Sequence, residues 1–197
     1  MRKVVLVAWC AAVLTGCGIT VMPKNVPSSA GTDAVSFTDS VVIIANAEQN
    51  ASEYAVRDDK GAKTAIVANR ARWSKKLVET LASELAKRGA RVRSNAAVKL
   101  NVSLPEITFN HFGDLFQFKV TVAVSSSSGW SRQYDGIAET SMGAFESASV
   151  MTERLAGDAL SKVIKAMLRD EDFVAQVRNK SEAIRQGNGT APISQPH

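Results

Sequence analysis

The chain has 197 residues, with 24 Lys and Arg against 19 Asp and Glu, 45% hydrophobic residues and 6% aromatic residues. These values exclude collagen-like, purely coiled-coil and wholly disordered chains, because enough apolar side chains exist to fill a core. The length fits one domain with extensions, since single domains commonly span about 100–200 residues.

The amino terminus has the features of an export signal. A basic pair at residues 2–3 precedes an uncharged apolar run at 4–14. Such a run is typical of a secretory signal peptide and is too short to span a bilayer. The run ends in the pattern of a bacterial lipobox, Leu14-Thr15-Gly16-Cys17. We therefore predict a signal peptide over 1–16 and lipidation of Cys17.

Lipidation at this position has consequences for redox chemistry and location. Cys10 is removed with the signal peptide, so Cys17 is the one cysteine left and we expect no structural disulfide. Two or three acyl chains hold a protein durably on a membrane, whereas one chain binds only marginally. Gly18, rather than Asp, follows the lipidated cysteine. By resemblance to lipoproteins of enteric bacteria, this favours the periplasmic face of the outer membrane.

The rest of the chain divides by composition. Turn-forming residues dominate after the lipobox, and the last residues lack a helix or strand pattern. We predict a lipidated flexible linker over 17–37, a single periplasmic α+β domain over 38–178 and a disordered tail over 179–197.

The first half of this domain begins with a β-branched run at 41–45, which predicts a buried strand. Residues 46–66 show no clear periodicity. An amphipathic helix ending at Gly89 is predicted from apolar residues that recur every four positions: Trp73, Leu77, Leu81 and Leu85.

Strict apolar–polar alternation dominates the second half. It predicts strands over 98–104 and 116–124, with a third over 130–138. A long helix follows at 155–168, and a short amphipathic piece then reaches Val177. This order predicts a two-layer α+β fold: an antiparallel sheet of about four strands with two main helices packed on one face.

Four features together resemble the YajG family of bacterial lipoproteins. They are the helix end Leu85-Ala86-Lys87-Arg88-Gly89, the strand with Val98 and Leu100, the strand from Phe116, and Gly143-Ala144-Phe145-Glu146-Ser147 before the long helix. The resemblance runs from the lipobox to about residue 178, more in the order of elements than in motifs. It implies a small lipoprotein associated with the outer membrane and transfers no functional residue.

Positive charge is concentrated between residues 70 and 93, where eight basic and two acidic residues give a local charge of +6. We predict anion binding by the last four of these basic residues: Lys87, Arg88, Arg91 and Arg93. The partner would be lipopolysaccharide, phospholipid headgroups or peptidoglycan carboxylates. The alternative is a solvated helix face. Nucleic acid is not an expected partner, because export separates the protein from it.

Candidate catalytic residues are few. His111, with Asp114, could serve a nucleophile or a metal, but Asn110-His111-Phe112-Gly113-Asp114 is also typical of a hairpin turn. A glycosidase-like pair could come from the carboxylates near strand ends: Glu106, Asp114, Asp135, Glu139 and Glu146. No motif selects two of them, and the common hydrolase, phosphate-binding and dinucleotide motifs are missing.

The expected function is therefore non-enzymatic, with no catalytic residues, no metal and no cofactor. We expect a binding or accessory domain of the cell envelope whose partner is an envelope protein or an anionic glycolipid. A lipid- or lipopolysaccharide-handling accessory subunit is the alternative, and a peptidoglycan-acting enzyme is a further one.

Overall fold

The computed structural model describes residues 19–27, 35–49, 53–56, 66–141 and 147–178. The amino-terminal elements are β1 (Ile19–Val21), β2 (Val41–Asn46), β3 (Glu53–Val56), β4 (Ile66–Asn69) and α1 (Arg70–Lys87). The remaining elements are β5 (Arg91–Val92), β6 (Val98–Phe112), β7 (Leu115–Ser126), β8 (Ser131–Ser141), α2 (Ala148–Arg169) and α3 (Glu171–Arg178). The predicted signal peptide, Cys17 and the predicted tail lie outside the described residues.

The larger sheet has five strands in the order β5-β2-β6-β7-β8. Strands β6, β7 and β8 pair antiparallel, whereas β2 runs parallel to both of its neighbours. The predicted sheet, four-stranded and wholly antiparallel, is therefore wrong in strand number and in the direction of β2. The physical reason is α1, which carries the chain from one end of the sheet back to the other, so that the next long strand runs in the same direction as β2.

A second, smaller sheet was not predicted. Its order is β1-β4-β3, in which β1 and β4 are parallel while β3 and β4 are antiparallel. Strand β3 lies within the stretch 46–66, where the sequence shows no clear periodicity, and β4 begins at the last residue of that stretch. Strands of three or four residues are too short to establish a repeat of two.

Both predicted main helices form. Asn69 caps α1 by accepting a hydrogen bond from the Arg72 N–H at 2.9 Å, and the chain leaves the helix through Gly89 at a φ of 94°. Ser147 caps α2. A close backbone approach joins α2 to the sheet, since a Cβ on Gly136 would lie 2.0 Å from the Ala159 carbonyl oxygen. Glycine at this position lets the helix pack directly against β8.

The core lies between these helices and the inward face of the larger sheet. Its apolar side chains come from alternate positions of β6, β7 and β8 and from one stripe of each helix. The short amphipathic piece predicted near Val177 forms α3, whose Phe173 is fully buried. The fold is thus α+β as predicted, with a third helix and a second sheet added.

Residues 19–27 differ from the flexible linker predicted over 17–37. Val21 is fully buried, and its carbonyl accepts a hydrogen bond from Trp73 Nε1 at 2.8 Å. The Pro27 carbonyl accepts one from Ser161 Oγ at 3.0 Å. Phe37, at the other end of the predicted linker, is also fully buried. A few apolar residues among turn formers suffice to attach this segment to the domain without producing a periodic pattern.

Gly157→Ala tests whether this segment is attached. A Cβ at residue 157 would lie 2.1 Å from the Asn25 carbonyl oxygen. We expect the substitution to lower the free energy of unfolding by about 1–3 kcal/mol, because α2 and the segment must separate. If residues 19–27 were a free linker, alanine would instead raise stability by about 0.5–1 kcal/mol through its helix propensity. Urea unfolding measures whether the substitution lowers or raises the free energy of unfolding.

Leu81→Asp tests the core assignment of α1. Leu81 is fully buried between α1 and the sheet, so the substitution places an unpaired carboxylate there. We expect a loss of several kcal/mol in unfolding free energy. Ser83→Asp, at an exposed position of the same helix, is the control and should change stability by less than about 0.5 kcal/mol. Equal melting curves for the two variants would contradict the core assignment.

Candidate functional site

The predicted anion-binding residues lie where α1 ends and β5 forms the edge of the larger sheet. Arg91 and Arg93 are exposed, and their N–H groups donate to the carbonyls of Ser40 at 2.8 Å and Val42 at 3.0 Å. Arg93 lies one residue beyond β5, but its hydrogen bond to Val42 continues the ladder, so Arg91 and Arg93 project to the same side. Buried Val42 is opposite Val92 and belongs to the core face, so the two arginines lie on the outer face.

The parallel pairing of β2 adds a cation that the sequence analysis missed. Lys99 pairs with Ile43 in the β2–β6 ladder and is exposed on the same outer face as Arg91 and Arg93. We call these three residues, Arg91, Arg93 and Lys99, the basic face. No local signal could have grouped Lys99 with the arginines, because the grouping depends on which strands are neighbours.

The other two predicted residues are less available. Lys87 Nζ lies 2.8 Å from Oε1 of Glu84, whose carboxylate is almost fully buried. Arg88 is half-buried, and its carbonyl accepts a hydrogen bond from the Phe37 N–H at 2.8 Å. Lys87 and Arg88 thus lie at the helix end, apart from the exposed Arg91, Arg93 and Lys99, so the basic face becomes the main candidate for the predicted anion contact.

Arg178 of α3 is a further basic residue at this end of the molecule. Its Nη2 donates to the Ser36 carbonyl at 2.6 Å, and its guanidinium carbon lies 5.9 Å from the centroid of the Phe37 ring. These contacts join the last helix to the start of the domain across 142 positions of sequence. Arg178 thus connects α3 to Ser36 and Phe37 beside Arg88, and it does not extend the basic face.

A cluster of one arginine and two aspartates lies at the same end. Arg132 Nε lies 3.0 Å from Oδ2 of Asp170, and Asp172 also pairs with Arg132 at 2.5 Å. The Tyr134 hydroxyl donates to Asp170 Oδ2 at 2.8 Å. Burial, and secondly this hydrogen bond to a carboxylate, raise the pKa of Tyr134 well above its usual range. The tyrosine therefore stays protonated and joins β8 to the junction of α2 and α3.

Three of the five carboxylates that suggested a glycosidase-like pair, Glu106, Asp135 and Glu139, lie on strands of the larger sheet. Lys119 Nζ is 3.7 Å from Glu106 and 3.8 Å from Asp135, so one lysine stands between two of them. Glu139 accepts a hydrogen bond from Gln117 at 2.6 Å. Glu146 lies outside the described residues. Glu106, Asp135 and Glu139 are thus partnered across strands, an arrangement that stabilises a sheet face, whereas Asp114 lies in the turn between β6 and β7.

The predicted hairpin forms, but His111 lies on β6, two residues before Gly113, and not in the turn itself. The two-residue turn is Gly113 and Asp114, with Gly113 at a φ of 63°. The imidazole of His111 is stacked on the Phe116 ring, with 4.3 Å between centroids. Within the described residues, no group of three or more His, Cys, Asp or Glu side chains is placed to hold a metal ion.

Two open depressions lie along the outward side of α1. The larger, about 420 Å³, is bordered by Asn46, Gln49, Ala71, Arg72, Lys75, Val78 and Glu79. The smaller, about 240 Å³, is bordered by Val26, Lys76, Glu79, Thr80, Ser83, Glu84 and Lys87. Both mix acidic and basic side chains, so neither has the single sign of charge that would select an anion.

Among the described residues, no helix is both long and apolar enough to cross a membrane.

Comparison with known proteins finds no matching family model and no matching curated protein. A protein of the DUF330 family from Xanthomonas campestris aligns over 84% of this chain and 98% of its own, at 11% identity and a TM-score of 0.49. A candidate lipoprotein from Caulobacter crescentus aligns over 54% and 84%, at 18% identity and a TM-score of 0.40. A minor lipoprotein from Acinetobacter baumannii aligns over 81% and 98%, at 17% identity and a TM-score of 0.33.

These likenesses are too distant to assign a family, since every one of the three TM-scores is below 0.5. Two of the three proteins are described as lipoproteins. The resemblance to the YajG family stays a prediction.

The basic face can be tested by replacing Arg91, Arg93 and Lys99 with glutamine. Each contact to an anionic surface contributes about 1 kcal/mol, so the triple variant should bind about a hundredfold more weakly. The measurement is co-sedimentation of a lipid-free chain with vesicles containing lipopolysaccharide. The effect should shrink at high salt, because the Debye length is about 8 Å near 0.15 M.

The control for this experiment is Arg72→Gln with Lys75→Gln and Lys76→Gln. It removes the same charge from α1, away from the basic face. An equal loss of binding in both triple variants would contradict a specific site and leave only a general effect of net charge.

Proposed function

We propose that this chain is a bacterial lipoprotein whose periplasmic domain is a non-enzymatic binding or accessory module of the cell envelope. Its signal peptide, residues 1–16, is removed, and lipid on Cys17 attaches the domain to the periplasmic face of the outer membrane. The observation that carries the proposal is the lipobox Leu14-Thr15-Gly16-Cys17 after an apolar run of signal-peptide length.

The arrangement of charged residues supports a binding role over catalysis. Glu106, Asp135 and Glu139 have cationic or amide partners on a sheet face. A glycosidase would need two carboxyl groups facing each other across a sugar-sized cleft, whereas Lys119 Nζ lies between Glu106 at 3.7 Å and Asp135 at 3.8 Å. The basic face offers three exposed cations on one surface, and such a surface attracts anionic partners. An anionic envelope glycolipid or an acidic envelope protein is the partner class that this chemistry favours.

The anchor is tested by Cys17→Ala. We expect the variant to leave the membrane fraction and to lose metabolic labelling with palmitate, because the thiol that receives lipid is gone. Its melting curve should match that of the unmodified domain, since residue 17 precedes the first strand.

Cys10→Ala is the matched control, since it removes a thiol from the same segment. It should retain both labelling and membrane attachment, because Trp9 stands before Cys10 where a lipobox has a small residue. Palmitate labelling of the Cys17→Ala variant at the wild-type level would rule out the lipobox assignment.

A further inference from the structure

One end of the larger sheet carries exposed apolar side chains. Phe112 and Leu115 are paired residues on either side of the turn that joins β6 to β7, and Ser141 completes the rung on β8. Phe112 is 41% exposed and Leu115 is 36% exposed. Two large apolar side chains therefore project at the tip of a tight hairpin, outside the core.

The first turn of α2 lies at this same end. The Arg154 guanidinium lies 3.4 Å from Thr140 Oγ1, beside the last residues of β8, whereas Lys162 Nζ reaches the Ile137 carbonyl at 2.7 Å. The helix thus begins near the hairpin tip and runs away from it. Val150, in the first turn, is 56% exposed.

The amino-terminal segment enters the domain from this end too. Lys24 pairs with Glu153 at 2.9 Å, and three residues later the Pro27 carbonyl accepts from Ser161 at 3.0 Å. The segment therefore runs beside α2 in the direction of the helix. Traced backwards from Lys24, the segment reaches β1, where the Val21 carbonyl accepts from Trp73 Nε1. The Trp73 ring stacks on Phe118, three residues after Leu115 on β7, so β1 lies in the half of the domain nearer the hairpin tip.

The covalent chain keeps the lipid site close to this end. Cys17 precedes Ile19, the first residue of β1, by two positions. Two residues span at most about 7 Å even when fully extended. With β1 paired to β4 and Val21 buried, little chain is left to separate a lipid on Cys17 from the domain.

We propose that this end of the domain, formed by Phe112, Leu115 and Val150, rests on the lipid bilayer and that the two hairpin side chains enter its interfacial layer. The proposal rests on lipidation of Cys17. Single exposed apolar residues are ordinary on protein surfaces. Here three of the five large exposed ones in the described part of the chain share the end at which the chain leads to the lipid.

The opposite end of the sheet carries the basic face, so the two surfaces are distinct. An amphipathic surface held at a membrane by acyl chains gains affinity from each apolar group that it buries there. The hairpin tip thus contacts the same bilayer that holds the lipid anchor, and no second protein is required.

The experiment compares two labelling positions of equal exposure. Phe112→Cys and Ile137→Cys both replace a side chain that is 41% exposed, and Ile137 lies away from the hairpin tip, on β8. The full chain is expressed with its signal peptide, and the purified lipoprotein is reconstituted in phosphatidylethanolamine and phosphatidylglycerol vesicles. An environment-sensitive fluorophore on the introduced thiol is then exposed to nitroxide-labelled lipids.

We expect the label at position 112 to shift its emission to the blue and to be quenched by the nitroxide lipids. The label at position 137 should keep the emission that it has in detergent-free buffer. Equal quenching at both positions, or quenching at neither, would overturn the proposal.

Vesicle flotation of the same samples separates this proposal from the lipid anchor. Protein that floats with the vesicles but shows no quenching at position 112 would overturn the membrane contact alone. Unlabelled wild-type chain that fails to float and carries no acyl chains by mass spectrometry would overturn the lipidation of Cys17, and the contact with it.

Discussion

The hydrogen bond from Trp73 to the Val21 carbonyl joins parts of the chain that no local pattern connects. The indole Nε1 donates to this oxygen at 2.8 Å, while the ring stacks on Phe118 at 5.4 Å between centroids. Trp73, Val21 and Phe118 are all fully buried. An indole N–H buried without a partner would cost about 1–3 kcal/mol, so the core around Trp73 needs the amino-terminal segment to be present. That requirement also fixes where the residues before β1 leave the domain, and hence where a lipid on Cys17 would lie.

The elements that the sequence predicted correctly are those whose pattern is long and whose burial is one-sided. The four-residue repeat of α1 and the strict alternation of β6 and β7 both extend over several turns or rungs, so the apolar face is unmistakable. Strand β1 has three residues, and its partner β4 lies 47 positions away in the pairing of Ile19 with Ile66. Its place in the fold depends on that distant partner. The direction of β2 was missed for a similar reason, since it depends on β6, which lies 56 positions away in the pairing of Val42 with Val98.

The candidate binding residues also divide into those that a local pattern reveals and those that depend on distant strand pairing. Arg91 and Arg93 were identified from charge density, which a sequence shows directly. Lys99 joins them only because β6 lies beside β2 in parallel register. Lys87 was predicted to bind an anion but pairs with Glu84, three residues earlier on α1. Residues at that spacing are neighbours on a helix surface, so helical geometry already indicated this ion pair.

The two proposed contacts, an anion at the basic face and the bilayer at the hairpin tip, lie far apart along the larger sheet. Strand β6 has 15 residues, beginning beside the basic face and ending at Phe112. At about 3.3 Å per residue it extends up to about 46 Å if straight, and the irregularity between Ser103 and Glu106 shortens this only in part. The Debye length at physiological salt is about 8 Å, so headgroups at the hairpin tip exert almost no attraction on Arg91, Arg93 or Lys99.

If both proposed contacts form, an anion bound by the basic face comes from outside the leaflet that carries the anchor. A glycolipid in that same leaflet would reach the basic face only if the domain lay on its side, and the hairpin tip would then leave the interface. The two contacts therefore exclude each other within one leaflet. They are compatible when the basic face points into the periplasm, towards an acidic protein or a polyanion, while the hairpin tip and the lipid hold the other end.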